Sequence, residues 1–284
     1  MIDLRLATRR SPLALAQALL AAQALERVGA TSTFVEVATT GDRDRISSVT
    51  TLTEVGAFVR SVQAAVIDGD ADVAVHSGKD LPVAGPEGLV PFYLPRAEPW
   101  DVLCGSSLDR LGPGSVVGSG SPRREAQLKL LLPDVEVVDV RGNIDTRLAM
   151  VTEGNMAALI LAEAGLSRLG RQDSISHRFA LAQMVPAPAQ AAITLETMAG
   201  SRAAEMLALV DHAPTRRAVE AERGLLEATG AGCRSALGAL AGIRPDGSLE
   251  MTCFVNDARG SRWSHAVGSD RDDVVTAGRR ELGI

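Results

Sequence analysis

The chain of 284 residues is 46% hydrophobic and 3% aromatic, and it carries a formal net charge of −6. That length allows two or three domains with aliphatic cores. The acidic balance excludes generic binding to nucleic acid or to an anionic membrane, both of which need a basic field, so any anionic ligand must be gripped locally, inside a cleft.

In chain order, the first half reads strand (residues 3–8), helix (12–27), strand (Phe34 to Ala38), helix (57–68) and strand (Ala71 to Val75). The second half repeats the plan: strand (115–119), helix (122–132), strand (Val135 to Val140), helix (144–152) and strand (Ala157 to Ala162). Short Val/Ala/Leu/Ile runs between amphipathic stretches indicate βαβ units with buried, mostly parallel strands. Val59, Val62, Ala65 and Val66 share one helical face, and so do Ile144, Leu148 and Val151. Both helices end in glycine turns placed as C-caps, Asp68-Gly69-Asp70 and Glu153-Gly154-Asn155. The two α/β domains join near Pro95-Arg96-Ala97-Glu98-Pro99. A Pro-rich crossover, Val185-Pro186-Ala187-Pro188, returns the chain to the first domain through residues 189–210, which are Ala-rich and read as helical. A small α+β module begins near Pro214: helix Thr215 to Ala228, a Gly-rich turn from Thr229 to Cys233, strands around 236–243, 249–256 and 262–267, and a last helix over 271–282. The expected division is thus 1–96 with 189–210, then 97–188, then 214–284.

One junction occurs twice, as Arg9-Arg10-Ser11-Pro12 and as Ser121-Pro122-Arg123-Arg124. Each follows a strand-like run and opens a helix, with Ser suited to the N-cap and Pro to the first helical position. A helix start already favours anions, and paired arginines make each junction a candidate grip for carboxylate or phosphate. In such folds ligands sit beyond the carboxyl ends of the strands, often in the cleft between domains. Those ends are Arg9-Arg10-Ser11, Thr40-Gly41-Asp42-Arg43 and His76-Ser77-Gly78-Lys79-Asp80 in the first domain. In the second they are Ser119 to Arg124, Arg141-Gly142-Asn143 and Glu163-Ala164-Gly165, so most charged oddities fall on one rim.

Only two of the 29 basic residues are lysines, Lys79 and Lys129, and a Lys in an Arg-rich chain suggests a position that wants an ammonium. Asp80 beside Lys79 reads either as half of a surface ion pair or as a carboxylate at a cleft floor that handles protons or stabilises a cation. The three cysteines, Cys104, Cys233 and Cys253, are odd in number and lack CxxC spacing, which fits a reducing compartment. Cys104 and Cys253 lie in strand-like runs and read as core. Cys233 is flanked by Gly232 and Arg234, and reads either as a small buried hydrophobe or as a reachable, partly ionised thiol. The four histidines show no metal-ligand spacing. No apolar signal region or membrane-length run is present.

The segments LATRRSPLALAQA, TTGDR, ADVAVHSGKDLP, GSPRREAQL, VRGNIDTRL, LAEAGLSRLG and AERGLLEATGAGC, in this order, resemble the hydroxymethylbilane synthase (porphobilinogen deaminase) family over nearly the whole chain. The resemblance implies two tandem α/β domains like type II periplasmic binding proteins, followed by a small C-terminal α+β domain. It implies a transferase of haem biosynthesis that polymerises four porphobilinogens, with loss of ammonia, into the linear tetrapyrrole hydroxymethylbilane. The implied cofactor is a dipyrromethane held by a thioether, and by motif Cys233 is its attachment site. Asp80 becomes the catalytic carboxylate. Lys79, Arg123, Arg124, Ser119, Ser121 and Arg141 become cofactor-binding residues, and Arg9, Ser11, Arg147 and Phe58 substrate-binding ones. The chemistry matches these residue types: loss of ammonia leaves a methylene cation that a carboxylate stabilises, and each pyrrole adds two carboxylates for arginines to grip.

The chain departs from the family at several points. Glu54-Val55-Gly56-Ala57-Phe58 lacks the Gly-Lys-Gly that often precedes this Phe, with Arg60 as a candidate substitute. Gly78 stands where a bulkier residue is common, Ala189-Gln190-Ala191 replaces Gly-Gln-Gly, and the third domain is short, ending at Ile284. The expectation is a cytoplasmic monomer that acts on porphobilinogen and binds neither nucleic acid nor membrane. The alternatives are a non-catalytic anion-binding protein of the same fold, or a family member with impaired turnover.

Overall fold

The computed structural model describes residues 2–37, 53–230 and 236–284. In chain order they form β1 (Ile2–Arg9), α1 (Pro12–Glu26), β2 (Ala30–Val37), α2 (Thr53–Ile67), β3 (Val73–Ser77), β4 (Leu89–Tyr93), β5 (Asp101–Gly105) and β6 (Val116–Gly118). Next come α3 (Pro122–Leu131), β7 (Glu136–Val138), α4 (Ile144–Thr152), β8 (Ala158–Ala162), α5 (Glu163–Arg168) and β9 (Ile175–Arg178). The chain continues with β10 (Ile193–Met198), α6 (Arg202–Val210), α7 (Ala213–Ala228), β11 (Ala236–Ile243), β12 (Leu249–Asp257), β13 (Gly260–Gly268) and α8 (Arg271–Leu282). Contacts divide the chain into two compact units, one of Met1–Arg96 with Ala192–Arg217, the other of Ala97–Ala191 with Ala218–Ile284.

The first unit holds a mixed sheet in the order β2-β1-β3-β10-β4. Strands β2, β1 and β3 are mutually parallel, and β10 runs antiparallel to both of its neighbours. Alternation along the strands builds a core on each face. Leu4, Leu6, Val73, Val75 and Leu195 pack with Ala18, Ala21 and Leu25 of α1 and Leu207 of α6. Ala7 and Ala74 face the other way, onto Val62, Ala65 and Val66 of α2. Each fully buried Leu or Val contributes roughly 1.5–3 kcal/mol.

The second unit repeats that plan in the order β7-β6-β8-β5-β9, with β7, β6 and β8 parallel and β5 antiparallel to its neighbours. Leu103, Val117, Ala158 and Ile160 pack with Leu128 of α3. Val102, Leu159 and Leu161 face the opposite layer with Leu148 of α4. In each sheet the antiparallel strand, β5 or β10, is the first one after a crossover from the other unit. This unit also carries the antiparallel sheet β11-β12-β13, against which α8 packs. Gly268 is required there, because a Cβ would lie 2.4 Å from the backbone nitrogen of Val274.

The helical reading of 189–210 is corrected. Only Arg202–Val210 is helical, and Ile193–Met198 is a strand near the centre of the first sheet, buried at every position but Met198. Its β-branched residues, Ile193, Thr194 and Thr197, outweigh the Ala-rich lead-in.

Candidate active site

In the first unit, three features gather at the C-terminal end of the parallel strands. Strand β1 ends at Arg9, whose guanidinium carbon sits 4.0 Å from the ring centroid of Phe58 on α2. The Arg9 Nε is buried and has no hydrogen-bond partner among the described residues. Arg10 points the other way and pairs with Glu36 at 3.0 Å on the exposed surface, where such pairs contribute little. Ser11 is the N-cap of α1 as expected, its Oγ accepting the Ala14 N–H at 3.3 Å.

Strand β3 ends at Ser77 and turns at once through a short 3-10 helix, Gly78–Asp80. Three bonds fix the turn. The buried Gln17 amide of α1 donates to Ser77 Oγ at 2.7 Å, the Gly78 N–H donates to the Ala192 carbonyl at 2.9 Å, and the Leu81 N–H closes on the Gly78 carbonyl at 3.3 Å. Asp80 and Lys79 are half-buried at this turn. One residue before it, buried His76 has Nε2 3.2 Å from Glu196 Oε2, without hydrogen-bond alignment. Gln63 of α2 donates to the same Glu196 oxygen at 2.8 Å.

In the second unit the corresponding strand end carries Ser119, whose Oγ accepts the Ser121 N–H at 3.2 Å. Ser121 caps α3, accepting the Arg124 N–H at 3.5 Å. Arg123 and Arg124 turn inward, where they are 3% and 7% exposed. Both end on one carboxylate that sequence reasoning missed, Asp101 at the start of β5. Arg123 Nη1 donates to Asp101 Oδ2 at 2.7 Å, while Arg124 Nε and Nη2 reach Oδ1 at 2.9 and 2.7 Å. Burial pushes the Asp101 carboxyl up, but Arg123 and Arg124 outweigh it and hold the group well below the usual carboxylate range. Two guanidiniums on one carboxylate leave a buried cluster with surplus positive charge. Arg147 on α4 adds to it: its Nε is buried without a partner among the described residues. Burial first, and then the Arg124 cation, pull the Arg147 guanidinium below its ordinary value. Arg141 stays on the exposed surface, 3.3 Å from Asp139. This surplus fits a polyanionic group such as a dipyrromethane with its acetate and propionate arms.

Cys233 and Arg43 lie outside the described residues. Cys104 and Cys253 are buried in β5 and β12. Among the described residues no group of three His, Cys, Asp or Glu side chains is arranged to hold a metal ion.

Residues 4–206 match the family described as porphobilinogen deaminase, dipyromethane cofactor binding domain. The chain is 42% identical over 287 residues to the porphobilinogen deaminase of Acidothermus cellulolyticus, covering 98% of this chain and 86% of that protein. It is 44% identical over 290 residues to that of Mycobacterium leprae, covering 99% and 91%. Among solved structures, the periplasmic aliphatic sulphonate binding protein of Escherichia coli is similar at a TM-score of 0.40 and 14% identity, over 81% of this chain and 71% of that one. The match to the family spans most of the chain and that to the curated enzymes runs almost end to end, so the chain belongs to the porphobilinogen deaminase family.

Proposed function

We propose that this chain polymerises four porphobilinogens, with loss of ammonia, into hydroxymethylbilane. The observation that carries the reading at the level of geometry is the surplus of buried guanidinium charge around Asp101 and Arg147, in a protein whose net charge is −6. Such a surplus suits a ligand that brings several carboxylates. When attached through Cys233, the dipyrromethane supplies the primer to which pyrroles are added.

The chain's own residues bind, orient and move protons. Arg9, steadied on Phe58, Ser11 at the start of α1, and Arg147 hold the acetate and propionate groups of porphobilinogen. Lys79, Arg123, Arg124, Ser119, Ser121 and Arg141 hold those of the primer and of the pyrroles that join it. Asp80, partly withdrawn from water at a turn fixed by three hydrogen bonds, is the group assigned to the carbon that becomes cationic as ammonia departs. A half-buried carboxylate stabilises that charge more than one in bulk water does. The same group accepts the proton released from the pyrrole carbon when the new carbon–carbon bond forms. The reading includes a monomer and a cytoplasmic location, the latter in keeping with the free thiols of Cys104 and Cys253.

Intact-mass measurement on denatured protein from cells making porphobilinogen tests the reading. The wild type is expected to exceed its sequence mass by one dipyrrole, and Cys233→Ala to show no addition. Asp80→Ala is expected to keep the addition and lose on the order of 10²–10⁴-fold in turnover. A wild-type chain with no added mass and no consumption of porphobilinogen overturns the assignment.

A further inference from the structure

Asp101 is fully buried and receives donors from three side chains. Besides Arg123 and Arg124, the Gln190 amide donates to Asp101 Oδ1 at 3.0 Å and to the Pro99 carbonyl at 2.7 Å. The arginines are fixed at a second point each: Arg123 Nη1 also donates to the Val185 carbonyl at 2.6 Å, and Arg124 Nη1 to the Ile160 carbonyl at 2.9 Å. A guanidinium has five N–H donors, so these bonds occupy the inner edges of both groups and leave donors on each for another acceptor. The charge is also unbalanced, because one carboxylate faces two cations.

We infer that Asp101 is a positioning residue for the polymerisation: it fixes Arg123 and Arg124 so that their remaining donors and surplus charge are held ready for pyrrole carboxylates. The inference rests on the functional reading above. Without the shared carboxylate, two adjacent guanidiniums repel each other, and their flexible stems regain rotamers that a ligand would have to freeze again. Fixing them beforehand removes that ordering cost from each binding event. Stability alone explains the arrangement poorly, since well-packed apolar residues often replace buried ion clusters without loss. Surplus charge kept in a buried place is explained by an anion that arrives there.

The test compares wild-type holoenzyme with Asp101→Asn and Asp101→Glu for KM, kcat, completeness of the dipyrrole addition by intact mass, and thermal midpoint. Asp101→Asn is expected to raise KM for porphobilinogen about tenfold or more and to leave the addition incomplete, with a smaller change in kcat per loaded chain. Asp101→Glu keeps the charge but displaces it. It is expected to complete the addition and raise KM roughly threefold, with kcat within about twofold. A merely structural role would lower the midpoint without moving KM. A folded Asp101→Asn with wild-type KM and full addition overturns the inference. If Asp101→Asn does not fold, an unchanged KM in Asp101→Glu overturns it instead. A wild type lacking both addition and turnover overturns the functional reading alone. Propane-1,2,3-tricarboxylate then decides the role of Asp101, which stands if this anion raises the wild-type midpoint but not that of Asp101→Glu, and falls if it raises both equally.

Discussion

Arg9 and Arg10 are adjacent in sequence and opposite in environment: Arg9 is the last residue of β1, and Arg10 lies in the bend just beyond it. Arg10 meets Glu36 in solvent, whereas Arg9 lies over Phe58 with its Nε buried. A cation over a phenyl face contributes about 0.5–2 kcal/mol, more as water is excluded. Phe58→Leu keeps an apolar residue there and removes the ring, so it is expected to raise KM for porphobilinogen roughly threefold to tenfold with kcat within about twofold. Arg10→Ala is expected to leave both constants within about twofold. Steady-state kinetics on the two variants separates the arginines. A fall in kcat at unchanged KM for Phe58→Leu would show that the ring serves the chemical step rather than binding. The arginine pair was legible in sequence, though not the different surroundings of its two members. The stacking on Phe58 could not be read, because it joins β1 to a helix that begins more than 40 residues later.

At the scale of elements, legibility follows from how local the determining interaction is. The starts of α1 and α3 were readable because Ser and Pro supply the cap and the first turn within three residues. The C-terminal strands and α8 were readable for a similar reason, with turns separating clear alternating runs. Strand β10 was not, since its register is set by pairing with β3 and β4, distant in sequence, while its Ala-rich lead-in resembles a helix. Strand β4 was also missed. It contains Pro91 but tolerates it at the sheet edge. The turn after β3 depends on such a distant contact, the Gln17–Ser77 hydrogen bond between α1 and the strand end. Gln17→Leu removes the donor and leaves Ser77 Oγ unpaired, at a cost of about 1 kcal/mol. Because Asp80 is three residues further on, kcat is expected to fall severalfold as well. Urea midpoints and kcat measured together check this. A lowered midpoint with unchanged kcat would mean that the backbone bonds to Gly78 and Leu81 suffice to hold the turn.

Across the whole molecule, the duplicated α/β plan was written in the spacing of the strands, and the net charge of −6 pointed to a local rather than a general anion site. Asp101 was hidden, because its partners lie 22, 23 and 89 residues away, and a lone Asp heading an apolar run reads as a strand boundary. The cysteines show both cases and allow a count over the entire chain. Burial pushes the Cys104 thiol up to about 11 and Cys253 up to about 12. At pH 8 their thiolate fractions are therefore about 10⁻³ and 10⁻⁴, and since the thiolate is the nucleophile, neither is expected to react with an aromatic disulfide reagent in the folded protein. Unfolding in guanidinium returns both to the ordinary thiol range, so both then react. The chain has three cysteines, and the proposed thioether consumes the third, Cys233, in a bond that reductant does not reverse. The unfolded holoenzyme is accordingly expected to titrate two thiols per chain with or without prior reduction. Protein from cells that make no porphobilinogen should titrate three, and Cys233→Ala two in either background. Three thiols in the unfolded holoenzyme would leave no thioether for the cofactor, whatever the kinetics of the folded enzyme.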